Sequence, residues 1–234
     1  MKKASIYGFG IMDIKHTTQT ESRDKETGRR VVTFRCPIYS RWYDMIRRCY
    51  NPRSLKKNPS YTGCSVAPEW RYFSAFKEWY IEYEEKYGSV KNLQLDKDIL
   101  SSGARVYSPD TCCFVSKDIN GFISLKRSHK KSDMPIGVGR HKNCIGRIYY
   151  AGRINAPWEP KKSGNKRAKV IRYRDTIAEA YTDYVDKKIE IAHYYEKELP
   201  TNRIRDAFLA LIYSLKDEEY YIGDTSRLNV IRNT

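Results

Sequence analysis

A run of eight polar residues, KRSHKKSD at positions 126–133, divides the chain into two parts with different patterns of apolar residues. Before this run, aromatic and aliphatic residues recur at helical spacing. After it, short apolar stretches alternate with turn-forming residues. Because a wholly polar run adds no side chain to a hydrophobic core, each part is expected to bury a core of its own. We therefore predict two domains, residues 1–131 and residues 132–234.

The composition is that of a soluble globular protein, with 40% hydrophobic and 31% charged residues among 234. No apolar run approaches the roughly 20 residues that span a bilayer, and no apolar signal-peptide core follows Lys2 and Lys3. We expect a cytoplasmic protein without a membrane partner. The six cysteines form no C-x-x-C pair, so we expect reduced, mostly buried thiols and no structural zinc.

Positive charge is concentrated in one segment of the chain. Residues 121–174 contain 15 Lys and Arg but only two acids, Asp133 and Glu159, which gives +13 of a total net charge of +16. Such a local field attracts polyphosphates through counterion release. A solubilising surface or an anionic-membrane patch is the alternative, but no basic amphipathic helix with bulky apolar anchors occurs there. The charge pattern indicates a nucleic-acid partner.

The first part is predicted to begin with a strand pair within residues 1–34, in which YGFGIMDI and VVTFRC are the strands and TESRDKETGRR is a polar loop. Helical spacing then predicts a helix from Pro37 that ends at Asn51-Pro52, and a second helix from about Tyr72 to Tyr87. Residues 51–70 have no periodicity and are predicted to form a loop. The aromatics of the second helix have the spacing of core residues.

A ββα unit follows, with a strand in LQLDKDI, a turn at Ser102-Gly103, a second strand over 107–115 and a helix from about Lys117. Asp96 ends the first strand and Asn120 lies on the helix, so the two side chains could meet across the unit. A nuclease that uses one Mg²⁺ needs oxygen ligands of this kind. The spacing alone also fits an Asp and an Asn that cap turns.

The second part has three short strand candidates, PIGVGRH, CIGRIYYAGRI and KVIRYR, followed by an amphipathic helix with Asp175 or Thr176 as its N-cap. This pattern predicts a three-stranded antiparallel sheet with a helix over residues 135–198. A further helix is predicted after Pro200. The fold class of the whole chain is therefore α+β.

Residues 39–120 resemble the HNH endonucleases of tailed phages and mobile introns. The similarity is carried by YSRWYDMIRRCYNP, GCSVAPEW, FSAFKEW and LDKDIL-x₃-G-x₂-VYSPDTCCFVSKDIN. The resemblance implies that Asp96 and Asn120 bind one Mg²⁺ or Mn²⁺ ion. It places Thr111 at the position of the family's middle Asn and Lys97 at that of the general-base His.

Thr111 and Lys97 depart from the family pattern. A lysine with an ordinary pKa of about 10.4 is protonated at neutral pH and cannot accept a proton. Three alternatives remain open: the pKa of Lys97 is depressed by burial beside a metal, Asp98 or a water molecule is the base, or the site is not catalytic. A charged Lys97 could still stabilise phosphate.

Residues 135–185 are similar to the APETALA/ethylene-response-factor DNA-binding domain, through PIGVGRHKNCIGRIYYAGRI and the helix DTIAEAYTDYVDKK. In that family a three-stranded sheet enters the major groove of DNA. The resemblance implies seven contact candidates: Arg140, Lys142, Arg147, Tyr149, Arg153, Lys169 and Arg172. Strand alternation predicts Arg147, Tyr149 and Ala151 on one face, with Ile148 and Tyr150 on the other.

Together these features predict a metal-dependent endonuclease of the phage HNH homing type, which nicks or cleaves duplex DNA in the cytoplasm of an infected bacterial host. A catalytically inactive DNA-binding protein with a regulatory or counter-defence role is the alternative that Lys97 and Thr111 favour. RNA binding is a third possibility, suggested by 20 tyrosines. His129 and His141 lie in basic loops and are expected to be solvated or to contact phosphate.

Overall fold

The computed structural model of the protein describes residues 5–101, 103–123, 134–158 and 169–223. The chain forms two compact units, Met1–Lys117 and Asp118–Thr234. Six α-helices and nine strands, most of them in small antiparallel sheets, make the described part a mixed α+β structure, which confirms the predicted class. The domain boundary predicted at 131/132 lies outside the described residues.

Three helices organise the first unit: α1 (Pro37–Tyr50), α2 (Pro52–Lys57) and α3 (Phe73–Tyr87). The bounds of α1 and α3 confirm the two helices that the spacing of apolar residues predicted. The prediction of a loop over 51–70 is wrong, because this segment contains α2 and further short elements. The Asn51 side chain accepts a hydrogen bond from Ser54 N at 2.9 Å, and Pro52 occupies the first turn. These two features start α2 immediately after α1.

Aromatic side chains of α1 and α3 form the core of the first unit, as their spacing predicted. Trp42, Phe73 and Phe76 are fully buried, and Trp42 Nε1 donates a hydrogen bond to the Trp70 carbonyl at 2.8 Å. Trp79 packs on the Phe114 ring with a centroid separation of 5.5 Å. The aromatics of α3 are therefore packing residues rather than a surface for stacked bases.

The N-terminal strand pair differs from the prediction. Strands β1 (Gln19–Arg23) and β2 (Arg30–Arg35) form an antiparallel hairpin, so β1 falls in the segment predicted as a polar loop. YGFGIMDI is not a strand, because positive φ angles at Tyr7 and Gly8 break the extended backbone. Both hairpin strands are exposed throughout, so their pairing requires no apolar alternation.

Four short strands complete the first unit: β3 (Ser65–Val66), β4 (Gln94–Asp96), β5 (Val106–Tyr107) and β6 (Cys113–Val115). β4 pairs with β6 antiparallel, and β3 pairs with β5 in parallel. The prediction of a single strand over 107–115 is wrong, since a turn separates β5 from β6 and the two strands pair with different partners. Helix α4 (Lys117–Phe122) follows β6, and the division between the units falls after its first residue.

The second unit contains a three-stranded antiparallel sheet of β7 (Val138–Lys142), β8 (Ile148–Arg153) and β9 (Val170–Arg174), in that order. Helices α5 (Ile177–Tyr195) and α6 (Asn202–Tyr213) follow. Thr176 is the N-cap of α5 and forms a reciprocal capping box with Glu179. The predicted sheet, the helix after it and the C-terminal helix are all confirmed.

One face of this sheet packs on α5. Gly152 of β8 lies against the backbone of Ala180, where an added Cβ would approach its carbonyl oxygen to 2.8 Å. Arg174 of β9 forms a two-pronged ion pair with Asp183 of α5, at 2.7 and 2.8 Å. The opposite face is therefore turned away from α5. In the described part of the chain, no helix is long and apolar enough to cross a membrane.

Candidate active site and nucleic-acid face

Asp96 stands at the end of β4 and is almost fully buried, with 4% of its surface exposed. Its Oδ1 accepts hydrogen bonds from the backbone N–H groups of Asp98 and Ile99, both at 2.9 Å. Among the described residues no donor contacts Oδ2. Burial raises the pKa of this carboxyl to about 6, and the negative charge of Asp98 acts in the same direction. Oδ1 is thus hydrogen-bonded to the backbone of the residues that follow β4, while Oδ2 has no described donor.

Lys97 is also buried, at 6% exposure, and its ammonium is paired. Nζ donates to Asp98 Oδ1 at 2.5 Å and lies 5.7 Å from the centre of the Tyr107 ring. Burial opposes its charge, but the hydrogen bond to Asp98 and the charge of Asp98 outweigh burial, so the pKa of Lys97 is raised. Lys97 is therefore a cation in this arrangement, which is compatible with Asp98 or a water molecule as the base and also with a site that is not catalytic.

Two further residues extend this polar cluster, and sequence reasoning missed both. The charge of Arg48 of α1 interacts with Tyr107, and its guanidinium lies 5.7 Å from the centre of the Tyr61 ring. Tyr107 of β5 is therefore near the charges of both Arg48 and Lys97. No local pattern could have indicated this arrangement, because α1 and β5 are far apart in the chain.

Thr111 stabilises the turn between β5 and β6. Its hydroxyl donates to the Val106 carbonyl at 2.7 Å and accepts from Ser108 N at 3.0 Å. All the hydrogen bonds described for this side chain lie within residues 106–112. Its geometry is that of a turn-forming residue, and no hydrogen bond to Lys97 or Asp98 is described for it.

Asn120 lies on α4 and is half-buried in the second unit. Asp96 belongs to the first unit, so a site that joins the two side chains stays a prediction. Within the described ranges no cluster of three or more His, Cys, Asp or Glu side chains is arranged to hold a metal ion. The predicted site of Asp96 and Asn120 has one carboxylate and one amide, so the absence of such a cluster does not bear on it.

The sheet face turned away from α5 carries an aromatic cluster beside an arginine. His141 pairs with Tyr149 across β7 and β8, and Ala151 pairs with Tyr173 across β8 and β9. The His141 and Tyr149 rings are stacked with centroids 5.8 Å apart, and the edge of Tyr173 meets both rings. We call this surface the open sheet face.

Arg153 completes the open sheet face, because its Nη2 lies 3.0 Å from His141 Nε2. Burial lowers the pKa of His141, and the charge of Arg153 lowers it further. The imidazole is therefore neutral at neutral pH, and its Nε2 accepts the hydrogen bond from Arg153. Cross-strand register could have identified His141 and Tyr173 as members of this face, but Tyr173 was missed.

The other contact candidates divide between different parts of the sheet. Arg140 and Lys142 lie opposite Tyr150 and Ile148 in the register, so they share the side of the sheet that faces α5, and both are exposed there. Arg147 lies in the turn before β8 and pairs with Asp175 at 2.7 Å on the surface. Lys169, just before β9, and Arg172, within β9, are both exposed. The predicted alternation of Tyr149 and Ala151 against Tyr150 is confirmed.

Comparison with known proteins adds no assignment. No known protein family matches the chain, no curated protein is similar to it, and no solved structure matches its fold.

Proposed function

We propose that the protein is a metal-dependent endonuclease that nicks or cleaves duplex DNA. The observation that carries the proposal is Asp96, a buried carboxylate at the end of β4 with one oxygen fixed by its own loop and the other uncommitted. A protein keeps an acid in so unfavourable an environment when the charge has a use, and perturbed acids are enriched at functional sites.

The residues present fit a magnesium ion. Mg²⁺ prefers oxygen ligands and is held in proteins by only one or two carboxylates. Asp96 would bind it through Oδ2, the oxygen without a described donor, and Asn120 would contribute an amide oxygen. When bound, the ion would polarise the scissile phosphate and lower the pKa of water.

The remaining roles fall to Lys97 and Asp98. The Lys97 ammonium would stabilise the negative charge that develops on the phosphate oxygens. Asp98 is half-exposed beside it, with 58% of its side chain accessible, and would accept the proton of the attacking water. Its hydrogen bond to Lys97 fixes the orientation of both groups.

Duplex DNA as the substrate is supported by the second unit. The open sheet face presents two tyrosines, a histidine and Arg153, while Arg147, Lys169 and Arg172 add positive charge around the sheet. Arginine reads guanine through two hydrogen bonds, and lysine mainly contacts phosphate. The basic segment 121–174 supplies the electrostatic attraction.

The test is conversion of supercoiled plasmid to nicked or linear DNA with Mg²⁺ or Mn²⁺. We expect Asp96→Asn and Asn120→Ala to lower the rate by at least about 100-fold, as removal of a metal-binding group does. Asp110→Asn, which changes an exposed acid after β5, serves as the matched control and should cleave like the wild type. Wild-type protein that cuts no faster than Asp96→Asn would remove the basis of the proposal.

A catalytically inactive DNA-binding protein is the second candidate function. The Lys97–Asp98 pair favours it, since Lys97 is a cation where the HNH pattern has a histidine base. Duplex DNA bound with the same affinity by wild type and Asp96→Asn, without cleavage by either, would support this candidate. Structured RNA that displaces the duplex would instead indicate RNA binding.

A further inference from the structure

Lys188 of α5 is a buried lysine that the proposed function does not use. Only 3% of its surface is exposed. Nζ donates one hydrogen bond, to the Phe122 carbonyl at 2.7 Å, and lies 4.3 Å from the centre of the Phe122 ring and 5.7 Å from that of Tyr184. A lysine ammonium has three donors, so two of them have no described acceptor.

This ammonium has no described anionic partner. Burial by itself lowers the pKa of Lys188 to about 8, and no ion pair to a described carboxylate exists. The neighbouring Lys187 shows the contrast, because its ammonium pairs with Glu190 at 2.8 Å. A buried charge without a counter-charge is costly for the fold, and an anion beside Lys188 would remove that cost.

Lys188 lines a cleft of about 550 Å³ within the second unit. Arg153 lines the same cleft, and its Nε is buried without an acceptor among the described residues. The guanidinium of Arg153 reaches His141 on the open sheet face, which is turned away from α5, so Lys188 is the cation whose ammonium is available to this space. The rings of Phe122, Tyr184 and Tyr195 form part of its wall, and Asp118 is the acid among the lining residues.

We propose that this cleft is a phosphate-binding site for a mononucleotide, with the Lys188 ammonium as the hydrogen-bond donor to the phosphate. The volume lies within the range of small-molecule sites, about 300–1,000 Å³. Phe122, the partly exposed ring of this wall, offers an apolar surface for the base, since every base has a face that stacks on aromatic rings. The phosphate belongs either to a free nucleotide or to the 5′ end of a DNA strand. The site is distinct from the proposed Asp96 centre and does not depend on cleavage.

Isothermal titration calorimetry with 2′-deoxyadenosine 5′-monophosphate, inorganic phosphate and 2′-deoxyadenosine tests the free-nucleotide source. We expect one molecule of the monophosphate per chain and weaker binding of the nucleoside. Lys188→Met should weaken the monophosphate at least about tenfold, as the loss of a charge-assisted hydrogen bond does. Lys187→Met is the matched control on the same helix and should bind like the wild type. Lys188→Arg, which keeps the charge, should retain part of the affinity.

A second arm compares 5′-phosphorylated and unphosphorylated duplex DNA. A preference for the phosphorylated end that Lys188→Met abolishes would assign the phosphate to the strand end. If Lys188→Met fails to fold, as judged by thermal unfolding, Lys188→Gln replaces it and should weaken the monophosphate similarly. The proposal would be overturned if the protein bound neither the monophosphate nor the phosphorylated strand end. It would also be overturned if Lys188→Met or its replacement bound them as the wild type does, and Lys188 would then only cap the end of α4. These results are independent of plasmid cleavage.

Discussion

At the scale of single residues, Asp96 shows how burial and hydrogen bonding oppose each other in one carboxyl group. Removal from water disfavours the ionised form, while two backbone N–H donors stabilise it, and burial is the larger effect. The folded protein therefore holds this proton more tightly than the unfolded chain. A group in that state costs stability whenever it is ionised.

Asp96→Asn should therefore stabilise the protein at neutral pH. The pKa is raised from 3.8 to about 6, so the penalty is absent below pH 3.8 and complete above about pH 6. It amounts to roughly 2–3 kcal/mol. The amide of Asn keeps an acceptor for both backbone donors. At pH 7.5 we expect Asp96→Asn to have a higher free energy of unfolding than the wild type, and we expect this difference to vanish near pH 4. Urea denaturation in EDTA measures both values.

Asp110→Asn again serves as the control for Asp96→Asn. It should show no comparable gain, because Asp110 is exposed. A variant Asp96→Asn that is less stable than wild type at pH 7.5 would contradict the assignment of burial as the dominant effect.

At the scale of elements, the contact between the sheet and α5 determines which side chains reach the open sheet face. Gly137, just before β7, has a φ of +77°, and its position is directly against the Tyr184 ring of α5. Tyr184 is buried and borders the proposed phosphate cleft. The chain can enter β7 at this point only because residue 137 lacks a side chain.

Gly137→Ala should destabilise the second unit by about 2–4 kcal/mol, from overpacking against Tyr184 together with a strained φ angle. Gly139→Ala is the matched control, since its added Cβ would meet side chains of the open sheet face at 3.5 Å or more. Urea unfolding followed by tyrosine fluorescence measures both. Equal stability of the two variants would show that Tyr184 moves aside without cost.

At the scale of the whole molecule, the uneven distribution of charge along the sequence is the feature that favours the proposed DNA partner. The segment 121–174 carries +13 of the net +16, while two acids near the sheet, Asp175 and Asp183, are paired with Arg147 and Arg174. A field of this kind acts over about 10 Å at 0.1 M salt. It is expected to attract DNA before any base is read.

Binding of duplex DNA should weaken by about 1,000-fold or more between 50 and 200 mM salt if at least six phosphates are contacted. Arg172→Gln should reduce the slope of log K against log salt by about 1. Fluorescence anisotropy with a labelled duplex measures this slope. Arg53→Gln on α2 is the control, and a slope that changes equally in both variants would argue against a specific role of β9.

Local interactions explain which elements the sequence predicts well. Helices α1, α3 and α5 follow from apolar residues at a spacing near 3.6, from prolines in first turns and from the Thr176 cap, all of which act within a few residues. Strands β7, β8 and β9 follow from short alternating runs between turn residues. Strand β1 was misplaced because an exposed strand needs no apolar pattern, whereas β2 coincides with the predicted strand VVTFRC.

Pattern and spacing were enough to predict the α+β class, the main helices, the sheet of the second unit and the candidate residues Asp96, Lys97 and Thr111. The state of each candidate became visible in the folded chain: Asp96 is buried with no described donor on one oxygen, Lys97 is charged and bound by Asp98, and Thr111 stabilises the turn in which it lies. The tertiary structure also placed the buried Lys188 at the wall of a cleft. Periodicity and capping depend on neighbours along the chain, whereas burial, pKa and pairing depend on residues that folding brings together from distant positions.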